Sequence, residues 1–256
     1  MTPVPASPFR LDNHRILVTG GGSGLGLGMA RAMAAAGAAV LIVGRNPDRL
    51  AAAAEENGPG IEWRVHDVTN LEATPAFIDS VESTFGPLDT LVNNAGIHLK
   101  KPATEVSDAE FASVLQTHLH AAFALSRECA RHMRERNSGH LLFIASMASL
   151  FGIPMVSAYS AAKTAHLGLV RSLAVDLGAH GIRVNAIAPG WIHSEMMHRA
   201  LDSDPARRDK ILGRTPLGRF GDPADVANAA IYLSSPAGSF STGVCLPVDG
   251  GVSIGF

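Results

Sequence analysis

The sequence predicts a doubly wound α/β domain: one seven-stranded parallel sheet with helices on both faces. Short apolar runs alternate with helical patterns from one end of the 256 residues to the other, a glycine-rich turn interrupts the first strand-to-helix passage, and no repeat or low-complexity linker divides the chain. Strict βα alternation means parallel strands covered on both sides. Right-handed crossovers then put ligands beyond the carboxyl ends of the strands, where the strand order reverses.

The stretch 1–14 holds three prolines and no apolar run, so it reads as a lead ahead of one domain, 15–256, and not as a secretory signal. The first strand, Ile16–Thr19, stops at Gly20-Gly21-Gly22-Ser23-Gly24-Leu25-Gly26, and an Ala-rich helix, Leu25–Ala36, follows. Gly20, Gly22, Gly24 and Gly26 admit positive φ and let a diphosphate approach the main chain, while the N–H groups of the helix start, at Ser23 and Leu25, face the anion. The spacing from Thr19 is T-G-x-x-x-G-x-G and not G-x-G-x-x-G; a P-loop lacks its Gly-Lys-Ser/Thr.

The second strand, Ala39–Val43, ends in Gly44-Arg45-Asn46. An acid there would bind the ribose 2′-hydroxyl of NAD, whereas Arg45 suits a 2′-phosphate, so NADP is favoured over NAD, with Asp48 a carboxylate able to reach back. Helix Asp48–Glu56 leads to strand Glu62–His66 and to Asp67-Val68, where Asp67 is placed to accept from an adenine amino group. Helix Leu71–Phe85 leads to strand Thr90–Asn93. The small residues of Asn94-Ala95-Gly96 then leave room for a cofactor, or serve turn chemistry alone. Helix Asp108–Arg136 is followed by strand Leu141–Ala145 and Ser146; helix Ala158–His180 by strand Arg183–Ile187 and Pro189-Gly190. Trp191 to Arg214 mixes Met, His and Arg with weak periodicity and reads as a substrate lid, before helix Pro223–Ser234 and strand Cys245–Val248.

Lys163 follows Tyr159 at i+4, so an ammonium and a phenol share one helix face. Bringing a phenol from its ordinary pKa of about 10 to neutrality takes about 4 kcal/mol. A desolvated lysine together with an oxidised nicotinamide would supply it. The pair then acts as acid in carbonyl reduction or base in alcohol oxidation, with the Ser146 hydroxyl on the substrate oxygen. A surface helix pair has the same spacing.

Other classes are excluded. A net charge of −2 and no basic run beyond Lys100-Lys101 and Arg207-Arg208 offer no nucleic-acid surface. The most apolar window, Met33 to Val43, is too short for a bilayer, which leaves a soluble, cytoplasmic protein without a membrane partner. Cys129 and Cys245 form no disulfide framework. Among eleven histidines, His118 and His120 point apart on a helix, and His193 and His198 stand in a loop-like stretch without nearby cysteines or an H-E-x-x-H pattern, so no metal is expected.

From Arg15 to about Gly251 these positions resemble the short-chain dehydrogenase/reductase family, which has a Rossmann fold: Thr19-Gly20-x-x-x-Gly24-x-Gly26, Asp67, Asn93-Asn94-Ala95-Gly96, Ser146, Tyr159 thirteen residues on, Lys163 and Pro189-Gly190. The resemblance implies NAD(P)-dependent hydride transfer with Tyr159 as acid/base. It implies that Lys163 lowers the phenol pKa and holds the nicotinamide ribose, and that Ser146 orients the carbonyl. It further implies that the backbone at Ile192 and the Ser194 hydroxyl hold the carboxamide. His118 stands where the family usually has asparagine, a residue that seats a water linking the lysine to solvent. A histidine there serves that relay with added pH dependence, or fills space beside the cofactor. The family also implies a homotetramer, with Asp108–Arg136 and Ala158–His180 pairing across a two-fold axis and Val248–Phe256 at a subunit contact.

Ile97-His98-Leu99-Lys100-Lys101-Pro102, Arg214-Thr215-Pro216 and Arg219-Phe220-Gly221 resemble the gluconate 5-dehydrogenase branch. Lys100, Lys101, Arg199, Arg207, Arg208 and Arg214 make either a basic rim for an anionic substrate such as a sugar acid or a solvated face. A 3-oxoacyl thioester reductase is the rival enzyme. A non-catalytic NADP-binding sensor or scaffold is the rival class, and intact Ser146, Tyr159 and Lys163 weigh against it.

Overall fold

The computed structural model describes residues 7–56, 60–194, 197 and 205–255, the side chain of Arg207 apart. Its strands are β1 (Arg15–Thr19), β2 (Ala39–Gly44), β3 (Ile61–Val65), β4 (Thr90–Asn93), β5 (Gly139–Ile144), β6 (Ile182–Pro189) and β7 (Cys245–Val248). They form one sheet in the order β3-β2-β1-β4-β5-β6-β7, with every neighbouring pair parallel. The order reverses between β1 and β4. The helices are α1 (Gly24–Ala35), α2 (Pro47–Glu55), α3 (Thr74–Thr84), α4 (Asp108–Leu115), α5 (Ala121–Arg136), α6 (Ser157–Gly178), α7 (Pro205–Arg214) and α8 (Pro223–Ser234).

Alternate strand residues serve opposite cores, because successive side chains leave a strand on opposite faces. Leu17, Leu41, Leu91, Phe143 and Val184 pack with Ile78 and Val81 of α3, Leu125 and Met133 of α5 and Val170 of α6. Val18, Val40, Ile42, Val92, Leu142 and Ile187 pack on the other face with Met29 and Met33 of α1, Leu50 of α2 and Val226 and Leu233 of α8. Burial on both faces explains why β1, β2 and β5 read as apolar runs, while the edge strand β3 is largely exposed. No helix among the described residues is long and apolar enough to cross a membrane.

Most element ends lie within one or two residues of the sequence expectation, and four differences have an identifiable place in the packing. β3 starts one residue early, pairing Val40 with Ile61 through Gly44 with Val65, and His66 leaves the ladder. The helix expected over Leu71–Phe85 opens as a 3₁₀ turn, Leu71–Ala73, since Pro75 has no N–H for the carbonyl of Leu71. The lid segment contains α7, whose Ile211 joins Met197 and Phe220 in a small separate core. The helix expected to run unbroken over Asp108–Arg136 is interrupted by a π-helical turn, Gln116–His120, in which the Ala121 N–H reaches the Gln116 carbonyl.

The switch point between β1 and β4 is tied by a side chain. The Thr19 hydroxyl, 1% exposed, donates to the Val92 carbonyl at 3.2 Å and accepts the N–H groups of Asn94 and Ala95 at 2.9 and 3.0 Å. The Asn94 amide returns the tie, donating to the carbonyls of Thr19 and Gly20 at 2.9 and 3.3 Å. Thr19→Val keeps the shape and strands two part-buried N–H groups, so it is expected to lower stability by about 2–4 kcal/mol. Urea unfolding checks this as a lower midpoint at unchanged slope.

Candidate active site

Along the carboxyl edge of β1, the turn into α1 is divided between packing and openness. A Cβ on Gly26 would lie 2.4 Å from the Gly20 carbonyl and 2.5 Å from the Asn94 amide, and one on Gly20 (φ +65°) 3.0 Å from Ala95, so these two glycines pack the turn against the loop after β4. Gly24 (φ +52°) has open space where a Cβ would be, and Gly22 lies beside Leu50. Ser23 is the N-cap of α1 yet makes no side-chain cap bond, and the first turn holds no acid. Such a helix start, without carboxylate or cap, with Leu25 half-buried behind it, suits a diphosphate.

At the end of β2, Gly44 has no acid to offer and Arg45 is exposed. Beyond β3, the Asp67 carboxyl is held below its ordinary range by hydrogen bonds from the Thr69 N–H and hydroxyl at 2.9 and 2.7 Å, with the Arg45 charge adding to them. Val68, Thr19, Ala95 and His118 line one cavity behind this edge. On the far side, the Gly190 N–H bonds the Val248 carbonyl, and a Cβ at Gly190 would meet Asp249 at 2.6 Å, so Pro189-Gly190 brings the chain tight against the end of β7. Ile192 bridges to Gly221, and the Ser194 hydroxyl accepts the Met197 N–H at 3.1 Å, which leaves its own proton to donate. These residues fit a dinucleotide laid across the switch point.

Tyr159 and Lys163 lie on α6 with Ser146 facing them from the end of β5. Ser146 caps a 3₁₀ turn, Met147–Ser149, by accepting the Ala148 N–H at 3.1 Å, and its hydroxyl lies near enough to the Tyr159 phenol to favour the phenolate. Burial pushes the phenol above its ordinary value, and the nearby Ser146 hydroxyl opposes that rise. The Lys163 amine is 3% exposed, donates to the Ile144 carbonyl at 2.5 Å, and is itself pushed down to about 7 by burial, so near neutrality it carries only part of a charge.

His118, in the π turn, sets its ring edge-on to Tyr159, with centroids 5.3 Å apart at 88°. Its Nε2 lies 2.7 Å from the Ile97 carbonyl and 3.0 Å from the Ile97 nitrogen, and its Nδ1 is buried without a partner. Burial, then the Lys163 charge, lowers its pKa to about 4. His98 meets Tyr159 from the other side, 5.5 Å away at 74°.

Sequence reasoning passed over His166. It is 1% exposed, its Nε2 lies 2.8 Å from the His118 carbonyl, and burial with the Lys163 charge lowers it to about 3. The signal was available: 159, 163 and 166 are i, i+4 and i+7, one stripe of a helix. Of the expected basic rim, Lys101 is engaged by Glu110 at 3.0 Å and Arg214 stacks on Phe151, 4.5 Å from the ring centroid. Arg199 and the Arg207 side chain lie outside the described residues. Among the described residues, no three His, Cys, Asp or Glu gather as a metal site.

A family model described as enoyl-(acyl carrier protein) reductase matches residues 20–253. The chain is 37% identical over 249 residues to the gluconate 5-dehydrogenase of Gluconobacter oxydans, covering 96% of this chain and 97% of that one. It is 39% identical over 249 residues, at 96% and 97% coverage, to a galactitol 2-dehydrogenase (L-tagatose-forming) of Cereibacter sphaeroides. The crystal structure of a gluconate 5-dehydrogenase from Burkholderia cenocepacia in complex with NADP and tartrate superposes with a TM-score of 0.92 at 36% identity, over 97% of this chain and 98% of that one.

The seat of His118 depends on a missing side chain, since a Cβ on Gly96 would fall 2.2 Å from His118 Cε1. Gly96→Ala is expected to cost about 1–3 kcal/mol by overpacking. Adding His118→Ala should make the alanine at 96 nearly neutral, a non-additivity that urea unfolding of both singles and the double reads directly.

Proposed function

The chain belongs to the short-chain dehydrogenase/reductase family and is an oxidoreductase, and from that membership we propose that it interconverts a ketone and a secondary alcohol on a polyhydroxy acid of the gluconate type, with NADP as cofactor. The observation that carries the reading is the phenol of Tyr159, faced by the Ser146 hydroxyl and backed by the buried amine of Lys163, at the same sheet edge as the bare start of α1.

Gly20, Gly22, Ser23, Gly24, Leu25 and Gly26 would hold the diphosphate, Arg45 the 2′-phosphate, and Asp67 and Val68 the adenine side. Asn94, Ala95, Gly96, Pro189, Gly190, Ile192 and Ser194 would line the nicotinamide side. When bound, the nicotinamide supplies a hydride to the carbonyl carbon or takes one from the carbinol carbon. Ser146 donates to the substrate oxygen and aligns it. In reduction, Tyr159 gives its O–H proton to the oxygen as negative charge grows there. Its raised pKa keeps it protonated and ready as the acid. In oxidation, the same oxygen must first lose its proton to take one from the alcohol. Lys163, with a pKa of about 7, stands behind it as the exchanging amine.

An acid group on the substrate finds positive charge at the same edge. Lys100 is exposed in the loop after β4, and Arg214 at the end of α7 lies over Phe151 in the loop after β5. The kinship with a galactitol dehydrogenase supports the polyol part of the reading without the acid, so neutral polyols belong in the assay beside 3-oxoacyl thioesters. A cytoplasmic homotetramer completes the proposal. Phe111 on α4, Phe123 on α5 and Val175 on α6 are exposed apolar residues, as is Ile254 near the C-terminal end, and a second copy would cover them. Light scattering should return a four-chain mass, and a single-chain mass would reject the assembly.

Tyr159→Phe is expected to lower turnover about 10²- to 10⁴-fold while calorimetry shows NADP binding unchanged. In the wild type, oxidation should rise with pH between about 6 and 8 while reduction stays level, because the phenol is protonated throughout that range. Equal pH profiles in the two directions, or turnover surviving in the variant, would remove Tyr159 from the acid/base role.

A further inference from the structure

We propose that His166 is a positioning residue of this site: by donating its Nε2–H to the His118 carbonyl, it locks the π turn onto the helix that carries Tyr159 and Lys163, and so holds the His118 ring against the phenol. The catalytic consequence rests on the dehydrogenase reading above; the structural link does not.

His166 is a costly choice for mere packing. It is almost wholly buried, its Nδ1 has no partner, and its ring meets Phe143 edge-on at 5.4 Å, a contact that an apolar side chain would make without stranding a nitrogen. What only a donor supplies is the 2.8 Å bond to the His118 carbonyl. That carbonyl belongs to the π turn that breaks α4 from α5, where the backbone has left the regular α-helical ladder. His118 is therefore gripped at both ends, its backbone by His166 and its ring by Ile97. The path continues along the loop after β4 to Ala95 and Asn94, which Thr19 holds at the switch point. One run of buried contacts thus connects the helix of the acid to the loop proposed to line the dinucleotide.

The same geometry argues for support over proton relay. In the tautomer that donates to Ile97, His118 sends its Nε2–H into a carbonyl, and His166 does likewise towards His118. A proton taken up at either Nδ1 then has no exit at the other nitrogen. Burial and the nearby Lys163 amine keep both rings neutral over the physiological range, so the bond to the carbonyl persists there.

The test compares His166→Leu, His166→Gln and His166→Asn. Glutamine places an amide nitrogen about where Nε2 stands; asparagine is too short to reach the carbonyl. His166→Leu and His166→Asn are expected to lose kcat about 10- to 100-fold, the scale of a misplaced catalytic group, with KM for NADP nearly unchanged. Amide exchange over 116–121 and at 97 should quicken about tenfold in the ligand-free protein, and His166→Gln should recover most of both. His166→Leu or His166→Asn with wild-type exchange and kcat would overturn the proposal, and so would a glutamine variant no better than asparagine. Should the wild type turn over no ketone or polyol, the dehydrogenase reading falls, while the exchange comparison still decides the role of His166.

Discussion

The site depends on how a parallel sheet behaves where its order reverses. At that point β1 and β4 are neighbours whose following segments must diverge, one into α1 and the other towards α4, and the gap between them is the crevice. A gap needs a floor that does not spread. Thr19 provides it with a hydroxyl that has one proton and two lone pairs and places all three, on Val92, Asn94 and Ala95. Asn94 then bonds back to the glycine turn, and Gly26 fits where a Cβ would collide with both. The glycine turn and the loop after β4 are thereby held together as one unit, and the later residues of the candidate site are placed relative to it.

From that floor the chain emerges at Gly96-Ile97, and the absence of a Cβ at 96 leaves space for an imidazole. Opposite, α6 approaches closely because Ala158 and Ala162 are what meet Val114. Small residues on that face let the helix bring Tyr159, Lys163 and His166 into the wall of the crevice. The cost is an amine taken out of water with a single carbonyl bond, which lowers its pKa and withholds the charge that would otherwise favour phenolate. Such an arrangement opposes folding stability and is found where chemistry needs it.

The sequence disclosed the parts of the molecule that rest on local rules. Strands buried on both faces must be apolar runs, glycines at a strand end must open a turn, and a Tyr and a Lys four apart must share a helix face. It concealed whatever long-range contacts impose. No glycine or proline marks the π turn at 116–120, and the side-chain bonds that hold its His118 run to Ile97 and His166, 21 and 48 residues away. The burial that raises the Tyr159 phenol is likewise a long-range matter: spacing reveals which charge is near but not how much water is gone. The helix α7 was hidden by charged residues that obscure its short apolar face, of which Ile211 is the buried member.

His118 shows how far one departure propagates. An imidazole is larger than the carboxamide usual at that position in the family, and here it sits beside a neighbour without a Cβ, within bonding distance of the Ile97 backbone, with its own carbonyl held by a second histidine. None of the three is intelligible alone: Gly96 reads as turn chemistry, Ile97 as a loop residue and His166 as a polar intruder in an apolar stripe. Together they form one unit whose members depend on each other through contact. Substitution at any one of them should therefore be felt at the other two more than its own lost interactions would suggest. A residue at the position of a familiar catalytic group need not inherit that group's chemistry. Here the His166 ring is bonded to the His118 carbonyl and the His118 ring to the backbone of Ile97, so the pair supports the phenol's position, and the proton transfer proposed above falls to Tyr159 and Lys163.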